Sequence, residues 1–174
     1  MGTGRRDARA ALTTVPPVSR REQIRMSGAE VAGFLAEERT VICATNGRDG
    51  LPHLMPLWYV VRGAELWSWT FAKTQKVRNL ERDPRATLLV EAGTEYSDLR
   101  GVMLKADVTI HRDTELVAEF GIELFARYQA VEPGELDDDT RAMVLAQAPK
   151  RVALQFTERS RATWEHRKLA AGVY

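Results

Sequence analysis

The sequence predicts a mainly β protein in which six short, mostly antiparallel strands close into a small barrel flanked by a few helices. Three observations predict this fold. Apolar and polar residues alternate with period two through much of residues 40–110. Turn-forming pairs such as Asn46-Gly47 and Arg62-Gly63 separate the alternating segments. A chain of 174 residues suits one domain with a single core, and closing the sheet into a barrel removes its free edges.

The elements are expected in the following order. Residues 1–25 mix arginine, alanine, threonine and proline without periodicity, so we expect a disordered extension before a barrel domain at residues 26–174. Ser27 and Glu30 have the spacing of a capping box, which predicts the start of a helix. Strands are then expected at residues 40–45, 51–61, 65–70, 86–91, 102–110 and 151–156, and further helices at residues 74–82, 113–130 and 140–148.

Composition narrows the range of functions. The net charge of +1 argues against a general nucleic-acid-binding protein, and no stretch reaches the ~20 apolar residues that a membrane span needs. Cys43 is the only cysteine, which excludes an internal disulfide and fits a reducing cytoplasm. The three histidines are dispersed along the chain and do not form a metal-binding pattern. We therefore expect a cytoplasmic protein that binds a small molecule, without a metal, a membrane or a nucleic acid.

The strand at residues 65–70 and the basic helix after it carry the strongest functional signal. A helix N-terminus presents backbone N–H groups without internal partners and a positive dipole end, so it attracts anions. Thr74 is placed to act as the N-cap, Lys76 lies in the first turn, and Arg78 and Arg82 follow. On charge alone, a solvated basic helix is an equal alternative. The aromatic strand that feeds the helix favours a site for the phosphate of a cofactor.

Four segments together resemble a known family. The segments are DGLPHLMPLWY (49–59), TQKVRNLERDPRATLLVE (74–91), YSDLRGV (96–102) and WEHRKL (164–169). They are similar to the pyridoxamine-phosphate-oxidase-like split β-barrel proteins, and more narrowly to the flavin/deazaflavin oxidoreductase branch of actinobacteria. This resemblance implies a six-stranded split barrel, also called the FMN-binding split barrel. It also implies a homodimer with two cofactor sites at the subunit interface, which hold FMN, the deazaflavin coenzyme F-420 or, less often, haem.

The resemblance also implies which residues hold the cofactor. The phosphate would be bound around the strand-to-helix turn, and the ring system would lie along the proline-bearing strand. Gln75 stands where the FMN oxidases have an arginine, which favours coenzyme F-420 and leaves FMN as the alternative. Lys73, Arg78 and Arg82 could supply a longer cationic groove for the phosphodiester and oligoglutamate tail of F-420. The cofactor residues expected are Met55, Pro56, Leu57, Trp58, Thr70, Thr74, Gln75, Lys76, Arg78 and Asn79.

The remaining expectations concern the reaction. The resemblance implies an oxidoreductase that transfers hydride from coenzyme F-420 to an unsaturated small-molecule acceptor. Tyr96 or His166 would donate a proton, and His53, Trp69 and Arg100 would contact the substrate. A packing role is the alternative for Trp69, and a surface or backbone-bonded position for His53. At the level of the whole protein, the alternatives are an FMN-dependent oxidase or reductase and a non-catalytic cofactor-binding protein.

Overall fold

The computed structural model describes residues 19–169, and the expected extension lies mostly outside them, in residues 1–18. Residues 20–25 belong to the expected extension but are ordered, because Glu165 N donates to Ile24 O over 2.8 Å and ties this segment to the last strand. The helices are α1 (Arg20–Gln23), α2 (Gly28–Glu37), α3 (Gln75–Arg82), α4 (Thr114–Gln129) and α5 (Asp138–Gln147). The strands are β1 (Thr40–Asn46), β2 (Pro52–Arg62), β3 (Glu65–Phe71), β4 (Arg85–Ala92), β5 (Arg100–His111) and β6 (Arg151–Glu165).

The six strands close an antiparallel barrel in the order β1-β2-β3-β6-β5-β4, which confirms the predicted fold class. The last strand is longer than expected, because β6 continues past Phe156 to Glu165. Its second half is largely exposed and polar, so the apolar pattern that identifies a strand is absent there. Backbone pairing with β5 continues nevertheless, through an irregularity at Lys105 and Ala106.

The barrel is split between β2 and β3. These strands pair only where Tyr59–Arg62 faces Glu65–Ser68. The other half of β2, residues 52–58, pairs with β1 alone. Pro52 and Pro56 lie in this half, as expected for prolines on a strand with one open edge. The split therefore leaves a stretch of backbone accessible beside the barrel wall.

Two helices close the ends of the barrel, and a third covers its side. The predicted capping box of Ser27 and Glu30 is present and starts α2, whose Phe34 packs into the core inside the barrel. At the opposite end, α3 contributes Val77 and Leu80 to the same core. Outside the barrel, α4 packs on Trp67, Trp69 and Val60 in a second apolar cluster. No helix among residues 19–169 has the length and apolar character needed to cross a membrane.

The contact between α4 and α5 depends on a glycine. A Cβ placed on Gly121 would lie 2.7 Å from Val144 Cγ1 and 3.1 Å from the Trp69 ring. We therefore expect Gly121→Ala to lower the free energy of unfolding by about 1–3 kcal/mol, because side chains or helices must shift to admit the methyl group. Chemical denaturation measures the change.

The matched control is Gly33→Ala in α2, where no atom lies within 4 Å of the added Cβ. Since alanine favours a helix over glycine, this variant should gain about 0.5–1 kcal/mol. Equal effects of the two substitutions would contradict the packing described here.

Candidate functional site

The corner where β3 runs into α3 is the centre of the candidate site. Thr74 precedes the helix with an extended backbone, φ −77° and ψ 157°, which is the predicted N-cap position. Its hydroxyl does not cap the helix but donates to Phe71 O over 3.0 Å. The amides of the first turn of α3 therefore receive no side-chain cap, and they remain suitable donors for an anion.

Lys76 is buried without a carboxylate partner. Its side chain turns toward the barrel core, the residue is 5% exposed, and its Nζ donates to Thr70 Oγ1 over 3.2 Å. Among residues 19–169, no acidic side chain forms a salt bridge with it. Burial lowers the pKa of Lys76 from its ordinary value of 10.5. A buried, unneutralised ammonium is costly, and a bound phosphate would relieve that cost.

Asn79 and Gln75 form hydrogen bonds that hold α3 in position. Asn79 is 0% exposed, and its Nδ2 donates to Thr45 Oγ1 over 3.1 Å. Its Oδ1 accepts a hydrogen bond from Gln75 Nε2 over 2.9 Å. These bonds fix α3 on β1, so the structure does not support the expected direct contact between the Asn79 side chain and a cofactor. Arg78, by contrast, is exposed one turn into the helix.

The four expected ring-lining residues do not share one face. Met55 and Leu57 alternate with Pro56 and Trp58 along β2, so the two pairs point to opposite sides of the strand. Leu57 is buried in the barrel core. Trp58 is 45% exposed and stacks on Tyr128 of α4, with ring centroids 4.1 Å apart. A planar group beside this strand would therefore meet only one of these pairs and the open backbone edge.

Tyr96 and His166, the two predicted proton donors, are in contact with each other. Their ring centroids are 4.6 Å apart, and His166 Nδ1 lies 2.8 Å from the Tyr96 carbonyl oxygen. Arg100 is close in sequence, but its guanidinium is bound to Glu37 and Glu38 at the end of α2 and lies over the Phe34 ring. Arg100 thus anchors the end of α2, and its contact with a substrate stays a prediction.

The Tyr96–His166 pair and α3 lie at opposite ends of the barrel. Arg82 binds Asn46 O at the end of β1, whereas Arg100 binds Glu37, just before β1 begins. Seven residues of strand separate these points, which corresponds to about 20 Å at the usual rise of a β-strand. Within one chain, the predicted proton donors and α3 therefore lie at opposite ends of β1.

His53 and Trp69 occupy different surroundings. His53 Nδ1 is buried without a hydrogen-bond partner, and the residue lines a groove of about 450 Å³ with Gln75 and Asn79. It lies near α3, as a substrate or cofactor contact should. Trp69 is 6% exposed and packs edge-on against Phe125 of α4. These contacts favour the packing alternative for Trp69, and its contact with a substrate stays a prediction.

The structure also adds a cation that the sequence did not indicate. Arg48 lies in the turn between β1 and β2, and the sequence there indicates a turn but no binding role for its charge. It lines a groove of about 550 Å³ together with Gln75, Arg78, Glu81 and Arg82. Arg48 therefore joins Arg78 and Arg82 along the exposed side of α3. Across the described residues, no three His, Cys, Asp or Glu side chains group as a metal site requires.

Comparison with known proteins identifies the family. The sequence model of the pyridoxamine 5'-phosphate oxidase family matches residues 6–157. The chain belongs to this family. No curated protein sequence matches the chain.

Solved structures that are similar to this chain agree with its membership of the pyridoxamine 5'-phosphate oxidase family. A conserved hypothetical protein from Mycobacterium tuberculosis is 37% identical, with 89% of this chain and 98% of that chain covered and a TM-score of 0.77. An F-420 reductase is 22% identical, covering 74% and 93% of the two chains with a TM-score of 0.56. A FAD-binding protein from Mesorhizobium loti is 16% identical, covering 79% and 94%, with a TM-score of 0.59. The last two show the fold alone.

Lys76 provides a test that needs no ligand. We expect Lys76→Met to raise the free energy of unfolding of the free protein at neutral pH by about 1–2 kcal/mol, because the variant removes a buried, unpaired charge. Burial lowers the folded-state pKa below 10.5, so the folded protein holds this proton less tightly than the unfolded chain. The penalty is present below the folded pKa, and it disappears as the pH rises toward 10.5.

Denaturation of both proteins at several pH values measures this difference. The control is Lys150→Met, since Lys150 is an exposed lysine at the same corner and should change stability by less than about 0.5 kcal/mol. A loss of stability in Lys76→Met would show that the ammonium has a favourable partner in the free protein.

Proposed function

We propose that this protein is a coenzyme F-420-dependent oxidoreductase that transfers hydride to an unsaturated small-molecule acceptor. The observation that carries the proposal is the buried, unneutralised Lys76 ammonium beside Thr70, under an uncapped helix N-terminus. A charge-assisted contact contributes about 1.5–3 kcal/mol. Lys76 and the first amides of α3 would together bind the phosphodiester of the cofactor.

The surface of α3 favours F-420 over FMN. The amide of Gln75 is bonded to Asn79, so it is no substitute for a phosphate-binding arginine. The exposed cations Arg48, Arg78 and Arg82 continue from this corner along α3. Such a row suits the longer anionic tail of F-420, whereas FMN ends at its phosphate.

The open half of β2 is the proposed place for the ring system. Residues 53–58 offer backbone groups on an edge that β3 does not pair. Met55, at 42% exposure, and Pro56 supply apolar surface on either side of this edge. An apolar wall with a few backbone donors and acceptors fits a planar ring with polar edges.

A second copy of the chain would complete the site. Because about 20 Å of strand separates α3 from the Tyr96–His166 pair, we infer that the pair of a second subunit approaches the ring. The outer faces of β1, β4 and β5 carry half-buried apolar side chains, including Ile42, Leu89 and Met103, whereas α4 packs on β2, β3 and β6. These apolar faces are the proposed interface of a homodimer.

The chain's own residues would orient the reactants and manage the proton. A bound reduced deazaflavin supplies a hydride to an electron-poor double bond. His166 donates its Nδ1 proton to the Tyr96 carbonyl, which fixes the ring. Nε2 is the ring nitrogen from which a proton would be passed to the acceptor. Apolar side chains at the split exclude water from the ring.

Binding measurements test the cofactor assignment. Titration of the purified protein with coenzyme F-420 and with FMN should give a dissociation constant at least tenfold lower for F-420. Lys76→Ala should raise that constant by about tenfold or more, as expected for the loss of a charge-assisted bond. Arg21→Ala removes an exposed charge on α1, remote from α3, and should leave it unchanged. Tighter binding of FMN would favour the flavin enzyme instead.

Mixing two impaired variants, at an F-420 concentration near the wild-type dissociation constant, tests the shared site. Lys76→Ala damages the α3 half of each site, and His166→Ala damages the other half. If both halves come from different subunits, random heterodimers restore about a quarter of wild-type activity, because half the dimers then carry one intact site. Oxidation of reduced F-420 by menadione is the readout. Mixtures that stay as impaired as the separate variants would contradict a site built from two subunits.

A further inference from the structure

Arg151 is a second cation at the β3–α3 corner whose charge has no partner. It pairs with Phe71 in the sheet register, and its guanidinium lies over two rings. The Cζ atom is 4.1 Å from the Trp69 ring centroid and 3.8 Å from that of Phe71. These contacts hold the group in one place at the end of β3, next to the start of α3.

The hydrogen bonds of Arg151 leave much of its donor capacity unused. Nε and Nη2 both donate to Gln147 Oε1, whereas a guanidinium has five N–H donors. Other half-buried arginines in the described chain are better satisfied: Arg127 binds four carbonyl oxygens, and Arg62 pairs with Glu123. Burial lowers the pKa of Arg151, with no carboxylate acting against it.

The sequence around this corner contains no acid. Residues 66–80 and residues 140–157 together hold lysines and arginines but not one Asp or Glu. These segments contain β3, the start of α3, the end of α5 and the start of β6. Among residues 19–169, no carboxylate forms a salt bridge with Arg151, and a half-buried cation of this kind is completed most readily by an anion from outside.

Arg151 and Lys76 cannot bind the same anionic group. Thr70, which accepts from Lys76, alternates with Trp69 and Phe71 along β3. The two cations therefore lie on opposite faces of the strand. The cationic row of Arg78 and Arg82 also runs away from Arg151, since these residues are one and two turns into α3. A ligand at Arg151 is thus a second anion, separate from the phosphate and tail of the cofactor.

We propose that Arg151 binds a carboxylate on the acceptor, and that the substrate class is planar, conjugated carboxylic acids. The planar guanidinium matches a carboxylate with two parallel hydrogen bonds. The Phe71 ring, 46% exposed, gives an apolar surface beside it for the conjugated part of the acid. The assignment of this ligand as the acceptor rests on the proposed function above, whereas the anion site itself does not.

A pair of probes with the same shape tests the site. Trans-cinnamate and trans-cinnamamide are both planar and conjugated, but only the first carries a charge. Calorimetric titration of the wild-type protein, with and without coenzyme F-420, should show at least tenfold tighter binding of cinnamate. Arg151→Gln should remove this preference while the dissociation constant of F-420 changes less than twofold. Arg21→Gln, which removes an exposed charge on α1, should retain the preference.

Three outcomes would overturn the proposal: no preference for cinnamate in the wild type, a preference that survives Arg151→Gln, or a tenfold loss of F-420 affinity in that variant. The titration without coenzyme separates this proposal from the proposed function, because a protein that does not bind F-420 can still bind cinnamate at Arg151.

A second variant covers the case in which Arg151→Gln does not fold. Arg151→Lys keeps the charge but loses the planar pair of donors. It should reduce the preference at least threefold, and an unchanged preference would count against the site.

Discussion

The unneutralised ammonium of Lys76, buried where α3 closes the barrel, is the constraint on which the candidate site depends. A folded protein rarely keeps such a group without a partner, because desolvation of a lone charge is costly. Here the cost is tolerated at the junction of β3 and α3, with only the Thr70 hydroxyl as acceptor. Stability given up at one position for ligand binding is typical of functional sites.

The length of β1 imposes the second constraint. The strand separates the helix that would hold the cofactor from the Tyr96–His166 pair, and no rearrangement of side chains spans that distance. This separation is the reason for proposing that a second subunit brings its Tyr96–His166 pair to the ring. The split between β2 and β3 leaves residues 52–58 of β2 paired with β1 alone, which is where the ring is proposed to lie.

Much of the barrel could be predicted from the sequence, since period-two alternation and the capping box at Ser27 are local signals. The second half of β6 could not, because exposed strand residues need no apolar alternation. The roles of individual side chains are harder to predict from the sequence than the strands are. Asn79 bonds to Thr45, 34 residues away, and Arg100 bonds to Glu37, 63 residues away. Only the fold brings such partners together, and for the same reason the sequence does not identify Arg48 as part of the cationic groove.

The central claim is that Lys76 is charged, lacks a partner in the free protein and gains one from the cofactor. The most direct test is the pKa of Lys76, read from the ¹³Cε chemical shift of the labelled lysine in the presence and absence of coenzyme F-420. The account predicts a pKa below the ordinary 10.5 in the free protein and a clear rise when F-420 binds. A Lys76 pKa that is the same with and without the bound coenzyme would contradict it.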